Sequence, residues 1–304
     1  MSEFYAQKEK NIKLFRETEE YIANDHELME SVHYSIEASK VYKPRKPNHE
    51  GHCKLFNGAG VYVTSRTTIE EAIHIHKKFP EDKIMILNFA SAKHPGGRVT
   101  QGSSAQEESI CRCTTLYDVL NGSSTIQKNY YEYNRNYSEL GSQMYSSRGV
   151  YTPSIMVFRD DSDPELPFLS KKNRFPVDVF SIPAPNLRTS FNNKEVHPKR
   201  SVLSEIYKER IALLLHVAEQ KNINQLILGA WGCGVFRNDP MLVAEAFKKM
   251  IETYLVWVGV NRIIFAIPED KDRGNHKAFE RVFPYEHSSL RGEKKAKNDK
   301  KIYD

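Results

Sequence analysis

Lys83-Ile84-Met85-Ile86-Leu87-Asn88-Phe89 runs into Ala90-Ser91-Ala92-Lys93-His94-Pro95-Gly96-Gly97-Arg98 and, past Val99 to Ser104, into Ala105-Gln106-Glu107-Glu108-Ser109-Ile110. The opening run is apolar and of strand length, polar and glycine residues follow it, and a periodic stretch begins near Ala105. A strand feeding a loop and then a helix is the α/β unit, and ligands in such sheets sit at the carboxyl ends of strands. Gly96 and Gly97 lack a Cβ and accept φ > 0, so they would let backbone N–H groups approach a pyrophosphate closely. Taken alone, Pro-Gly-Gly is equally an ordinary turn.

Ser104-Ala105-Gln106-Glu107 fits a capping box, in which Ser104 would accept from the Glu107 N–H and Glu107 would reach back to the Ser104 N–H. Glu108 is not needed for that cap. Lying about 100° around the helix from Glu107, it can address a different part of one ligand. The helix dipole favours both carboxylates as anions, whereas mutual repulsion and burial favour a retained proton, so the protonation state stays open.

A second constellation is Leu226-Ile227-Leu228-Gly229-Ala230-Trp231-Gly232-Cys233-Gly234-Val235-Phe236-Arg237-Asn238-Asp239-Pro240. An apolar strand meets a glycine loop, and Asp239-Pro240 reads as an N-cap with proline at the first helical position. Two such units in one domain suggest a ligand with two or more phosphates clamped between them. Trp231 and Phe236 bracket the loop; either can stack on a base or ribose, and either can belong to the core.

Asn88-Phe89-Ala90-Ser91-Ala92-Lys93, Pro95-Gly96-Gly97, Gln106-Glu107-Glu108 and Gly229-Ala230-Trp231-Gly232-Cys233-Gly234-Val235-Phe236 together resemble the microbial-type poly(ADP-ribose) glycohydrolases, a branch of the macrodomain superfamily. Arg16-Glu17-Thr18-Glu19, Val157-Phe158-Arg159-Asp160-Asp161 and Pro183-Ala184-Pro185-Asn186 extend the likeness over most of residues 10–285. The resemblance implies hydrolysis of the glycosidic bond of ADP-ribose in poly(ADP-ribose) or ADP-ribosylated targets. It makes Glu108 the general acid and gives Glu107 the hydroxyls of the ribose being cleaved. A carboxyl assisting departure while an oxocarbenium-like charge builds is the usual logic of glycoside hydrolysis. It further implies that Gly232, Cys233, Gly234 and Val235 bind the diphosphate through backbone amides. Phe236 would pack on the nucleotide, and Asn88 would orient the glutamate or ribose. Gly96, Gly97, Arg98 and Gln106 are the remaining candidate substrate-binding residues. No metal or other cofactor is implied.

The chain departs from that family at Arg98, where the loop usually has a third glycine. If Arg98 must occupy φ > 0, the loop is strained by roughly 1–3 kcal/mol. Its guanidinium could instead reach a phosphate. The alternative function is an ADP-ribose reader that binds through both loops with little or no turnover because Arg98 remodels the site.

Around these motifs the alternation of elements predicts an α/β fold, a macrodomain-like three-layer α/β/α sandwich with a mixed sheet and an N-terminal helical accessory segment. Strands are expected near Val61 to Thr64, Ile84 to Phe89, Val177 to Ile182, Gln225 to Ala230 and Arg262 to Ile267. Helices are expected near Thr68 to Phe79, Ala105 to Leu120, Val202 to Gln220, Met241 to Tyr254 and Asn275 to Val282. The domain reading is a helical accessory segment at 1–50, the ADP-ribose glycohydrolase core at 51–286 and a basic, solvated tail at 287–304. The Tyr- and Asn-rich residues 121–150 read as a surface loop with a short helix rimming the pocket, with too few basic residues to track a nucleic-acid backbone. The formal charge is +5, and the tail from Arg291 to Asp304 holds six basic residues against three acidic.

Four cysteines in 304 residues give no disulfide framework. No apolar run approaches the roughly 20 residues of a membrane span. Neither glycine loop follows the Gly-x-Gly-x-x-Gly pattern of dinucleotide-binding oxidoreductases. The expected setting is the cytoplasm, with the nucleus added for a eukaryotic source. The expected partners are ADP-ribose, poly(ADP-ribose) or an ADP-ribosylated macromolecule, without a membrane, and nucleic acid only as an ADP-ribosylated target.

Overall fold

The computed structural model describes residues 3–44, 60–137, 144–188, 198–254, 260–269 and 274–284. One sheet of seven strands organises them: β1 (Lys40–Tyr42), β2 (Gly60–Thr64), β3 (Ile84–Phe89), β4 (Gly149–Val157), β5 (Phe175–Ile182), β6 (Gln225–Leu228) and β7 (Arg262–Ala266), in the order β1-β4-β5-β3-β6-β7-β2. β5, β3, β6, β7 and β2 run parallel, while at one edge β4 pairs antiparallel with β5 and β1 antiparallel with β4. The unbroken apolar run of β3 follows from this central position, because a parallel strand is covered on both faces. Met85 and Leu87 face one core and Ile84 and Ile86 the other, by the period of two along a strand.

The helices α1 (Glu3–Ala23), α2 (His26–Ala38), α3 (Thr68–Lys78), α4 (Gln106–Cys113) and α5 (Leu116–Gly122) contribute to the core holding Ile84 and Ile86. A short α6 (Ser124–Ile126), a π-helical turn at Gln127–Glu132 and α7 (Tyr133–Asn136) follow. The opposite layer is α8 (Arg200–Gln220), α9 (Pro240–Tyr254) and α10 (Asn275–Val282). The result is the expected three-layer sandwich with a mixed sheet. α1 buries Leu14, Phe15 and Ile22 in the same core as α4 and α5. It is fastened there by Arg159, whose guanidinium donates to the Leu14 carbonyl at 2.8 Å, to Thr18 Oγ1 at 3.1 Å and to Glu17 at 3.0 Å. The boundary drawn at residue 50, Cys53 and the tail lie outside the described residues.

Three expectations are corrected. The helix expected from Ala105 to Leu120 is two helices, because Thr114 and Thr115 leave the helical path to bond the end of β4. Thr114 bridges Val157, and Thr115 exchanges hydrogen bonds with Met156 through its N–H at 3.2 Å and its Oγ1 at 3.0 Å. The Ser104 capping box does not form: Ala105 takes the N-cap position, and Glu107 turns to the end of β3 instead. The region 121–150 is largely helical where described and is not a surface loop, since Tyr130 and Tyr131 are fully buried.

Candidate active site

The carboxyl ends of β5, β3 and β6 lie side by side and supply the site. Asn88, near the end of β3, is fully buried and donates from Nδ2 to Glu107 Oε1 at 3.3 Å and to Ser181 Oγ of β5 at 3.0 Å. Gln106 fixes the start of α4 against the strand. Its Oε1 accepts from the Phe89 N–H at 2.9 Å, and its Nε2 donates to the Leu87 carbonyl at 2.8 Å and to Thr68 Oγ1 at 3.2 Å. The Gln106 amide is thus committed to the protein, and this residue aims the two glutamates that follow it.

Both glutamates are buried. Glu107 has both oxygens engaged, Oε1 by Asn88 and Oε2 by the Ser91 N–H at 2.7 Å. Burial pushes its pKa up to about 8, with the neighbouring Glu108 charge adding to the rise and the Ser91 and Asn88 hydrogen bonds opposing it. Glu108 accepts at Oε1 from the Arg98 N–H at 3.0 Å, and its Oε2 has no protein partner among the described residues.

The Gly-Gly turn explains how two carboxyl groups fit here. Gly96 and Gly97 have φ of 59° and 62°. A Cβ on Gly97 would lie 2.5 Å from Glu108 Oε1 and 3.0 Å from Glu107 Oε2, and one on Gly96 would meet the Tyr117 ring at 2.7 Å. The Gly97 N–H donates to the His94 carbonyl at 3.1 Å. The turn expected to cradle a phosphate therefore makes room for the glutamates. Arg98 sits at φ −120°, outside the left-handed region, so the condition under which the loop would be strained is not met.

The second loop leaves β6 beside the first, with Gly229 against the Phe89 ring. Gly232 has φ 79°, and a Cβ there would lie 2.6 Å from Ala184 Cβ and 2.7 Å from the Tyr207 hydroxyl. Asn238 holds this loop to residues 183–186, donating from Nδ2 to the Pro185 carbonyl at 2.7 Å and the Gly232 carbonyl at 3.0 Å. Among the described residues the N–H groups of Gly234, Val235 and Phe236 donate to no protein acceptor, which leaves a run of donors at the strand end. Cys233 and Trp231 turn inward, so Trp231 belongs to the core, against Tyr207 and Phe247. Val235 is exposed, and Phe236 is half-buried with its ring 6.3 Å from that of Tyr145.

With this geometry in place, the family model described as the microbial-type PARG catalytic domain matches residues 9–160. The chain belongs to the microbial-type poly(ADP-ribose) glycohydrolases. No curated protein matches the sequence. Among solved structures, the poly(ADP-ribose) glycohydrolase of Thermomonospora curvata bound to the inhibitor ADP-HPD is 29% identical, with a TM-score of 0.73 over 90% of this chain and 99% of that one. The Deinococcus radiodurans enzyme in complex with ADP-ribose is 30% identical, with a TM-score of 0.67 over 83% of this chain and 96% of that one. As a member of this family the chain is a glycosidase of the poly(ADP-ribose) glycohydrolase type.

Sequence reading missed four residues that shape this glycohydrolase site: Ser91, Tyr145, Arg210 and Asn238. Arg210 is fully buried, and burial lowers its pKa to about 10. It donates to the carbonyls of Pro183 and Met144, each at 2.6 Å, and of Tyr145 at 3.1 Å, tying together two loops beside the second glycine loop. Tyr145 has φ 56°, so a non-glycine residue is held in the left-handed region by these contacts. A cation on the apolar face of a long helix was the one available signal for Arg210, and nothing in the sequence showed what it would face.

Proposed function

We propose that this chain releases ADP-ribose from poly(ADP-ribose), or from an ADP-ribosylated target, with Glu108 as the general acid. The observation that carries the assignment is the asymmetry of the pair. Both oxygens of Glu107 are held by the protein, whereas Glu108 keeps one oxygen uncommitted. A carboxyl group that hands over a proton needs such an oxygen.

In this reading the diphosphate of the bound unit lies on the N–H groups of Gly234, Val235 and Phe236, with the nucleotide against Phe236 and the Tyr145 ring behind it. The reacting ribose then meets Glu107, whose anchoring by Asn88 and Ser91 fixes it to receive the ribose hydroxyls. Burial raises the pKa of Glu107, with the charge of the neighbouring Glu108 adding to the rise. Glu108 passes a proton to the leaving oxygen as the bond to the anomeric carbon breaks, and the nearby diphosphate stabilises the developing positive charge. The Glu108 carboxylate then accepts a proton from the water that adds to the same carbon.

The substrate is poly(ADP-ribose) or an ADP-ribosylated macromolecule. We place the activity in the cytoplasm, a setting supported by the free, buried thiols of Cys111 and Cys113. No helix among the described residues is long and apolar enough to cross a membrane.

The test is release of ADP-ribose from poly- and mono-ADP-ribosylated protein by the wild type and Glu108→Gln, with ADP-ribose binding followed by calorimetry. Loss of the acid lowers turnover by about 10²–10⁴-fold, while affinity for ADP-ribose changes by only a small factor. A Glu108→Gln variant with full turnover overturns the assignment.

A further inference from the structure

Arg98 has two parts that the structure treats differently. Its backbone is fixed: the N–H holds Glu108, the carbonyl accepts from the N–H groups of Gln101 at 3.0 Å and Ser103 at 3.2 Å, and Asn11 of α1 donates to the Gly102 carbonyl at 3.0 Å just beyond. Its side chain is exposed, and the guanidinium forms no hydrogen bond or ion pair among the described residues. A rigid platform thus presents a free cation one residue from the glycine that lies against both catalytic-pair carboxyl groups.

Other basic side chains near this loop are placed differently. Lys93 lies over the Tyr145 ring, 5.9 Å from its centroid, on the side assigned to the bound nucleotide. Arg135 donates to the Lys93 carbonyl at 2.8 Å, and His94 is exposed next to it. The bound unit occupies the space between β3 and the Gly234 to Phe236 donors, so the departing group must leave past the uncommitted oxygen of Glu108, the residue that Arg98 holds. When the leaving group is the rest of a poly(ADP-ribose) chain, its leaving oxygen sits on a ribose that also carries a diphosphate. The nearest anion of the departing group therefore comes within reach of a long, unpaired guanidinium.

Resting on the glycohydrolase reading above, we infer that Arg98 forms a leaving-group subsite. Its guanidinium pairs with a phosphate of the departing chain, so an anionic leaving group is favoured over an uncharged one. Arg98 acts here on the group that leaves, while its N–H positions the acid.

The experiment compares kcat/KM on poly(ADP-ribose) with kcat/KM on a methyl glycoside of ADP-ribose of the same anomeric configuration, for the wild type, Arg98→Gln and Arg98→Lys. The ratio between the substrates removes any common effect of the substitution on Glu108. The expected result is a ratio about fivefold lower in Arg98→Gln, the scale of an exposed charge-assisted pair, and largely restored in Arg98→Lys. Raising the ionic strength should shrink the preference in the wild type and leave Arg98→Gln unmoved. An unchanged ratio in Arg98→Gln overturns the subsite and leaves the glycohydrolase reading intact. A wild type inert on both substrates overturns that reading, and the subsite with it.

Discussion

Replacing Glu107 with glutamine tests the electrostatics of the carboxyl pair without emptying the space it fills. The Glu107 pKa is pushed up to about 8 in the folded chain, whereas an unfolded glutamate titrates near its ordinary value. Between those values the folded state binds more protons than the unfolded state, so stability falls as pH rises, by at most about 1.4 kcal/mol per pH unit, and levels off above about pH 8. From pH 6 to pH 8 the ceiling is about 3 kcal/mol. Local relaxation around a buried carboxyl group reduces the expected figure to about 1–2 kcal/mol. Glutamine at this position cannot ionise, and its carbonyl can still accept the Ser91 N–H that Glu107 accepts at 2.7 Å. Asn88 Oδ1, buried without a partner among the described residues, offers an acceptor for the new amide after rotation of the Asn88 side chain. Urea denaturation of both proteins at several pH values isolates the effect, because subtracting the curves cancels the other titrating groups. The difference should move in favour of Glu107→Gln as pH rises to about 8 and then stay constant. Parallel profiles would refute the idea that burial holds a proton on this residue.

Gly97→Ala places a methyl group 2.5 Å from Glu108 Oε1 at a φ of 62°. It should cost about 1–2 kcal/mol in the backbone and lower kcat by about 10²-fold through displacement of the acid; thermal melts and initial rates check both, and a near-normal kcat contradicts the crowding. Gly232→Ala, at φ 79° with Ala184 Cβ at 2.6 Å, should weaken ADP-ribose binding by calorimetry more than it lowers kcat at saturation. Arg210→Ala removes hydrogen bonds to the Met144, Tyr145 and Pro183 carbonyls, so a loss of about 3 kcal/mol by urea denaturation is expected, together with a raised KM from a loosened Tyr145. A stable Arg210→Ala variant with unaltered KM would separate this arginine from the site.

How far these features were legible depends on whether the signal was local. β3 was readable because its burial on both faces writes one unbroken apolar run, and α9 because Asp239 caps it, accepting the Met241 N–H at 2.9 Å. β4 was not readable. It carries Pro153 and a register shift between Thr152 and Ile155, and Ser154 there sits at φ 56°, with its N–H reaching Asp178 Oδ1 at 3.2 Å in place of the ladder. The break between α4 and α5 was hidden for a related reason: Thr114 and Thr115 are acceptable helix residues until β4, distant in sequence, offers them partners. Tyr130 and Tyr131 looked like rim residues because tyrosine is amphipathic. In the fold both are enclosed, and only the Tyr130 hydroxyl reaches the site loop, at the Ser91 carbonyl, 3.3 Å away.

The Gly-Gly turn shows most clearly how one local signal admits more than one physical reason. Glycines after a parallel strand suggest phosphate, because their backbone can approach a ligand. Here the close approach is made by the protein's own carboxyl groups, with Gly97 against Glu107 and Glu108, while the Gly97 N–H is committed to His94. The acid pair and the turn are therefore one unit: the helix start aims the glutamates, the missing Cβ admits them, and the N–H of the following residue, Arg98, seats Glu108. In the proposed reading, phosphate recognition falls to the second loop, where the N–H groups of Gly234, Val235 and Phe236 have no protein acceptor among the described residues. In that reading the division separates the carboxyl group that gives up a proton from backbone donors whose protonation is constant. It also explains why a third glycine is dispensable in this chain: position 98 contributes its N–H from φ −120°, a conformation open to any L-residue, and its side chain is left for another task.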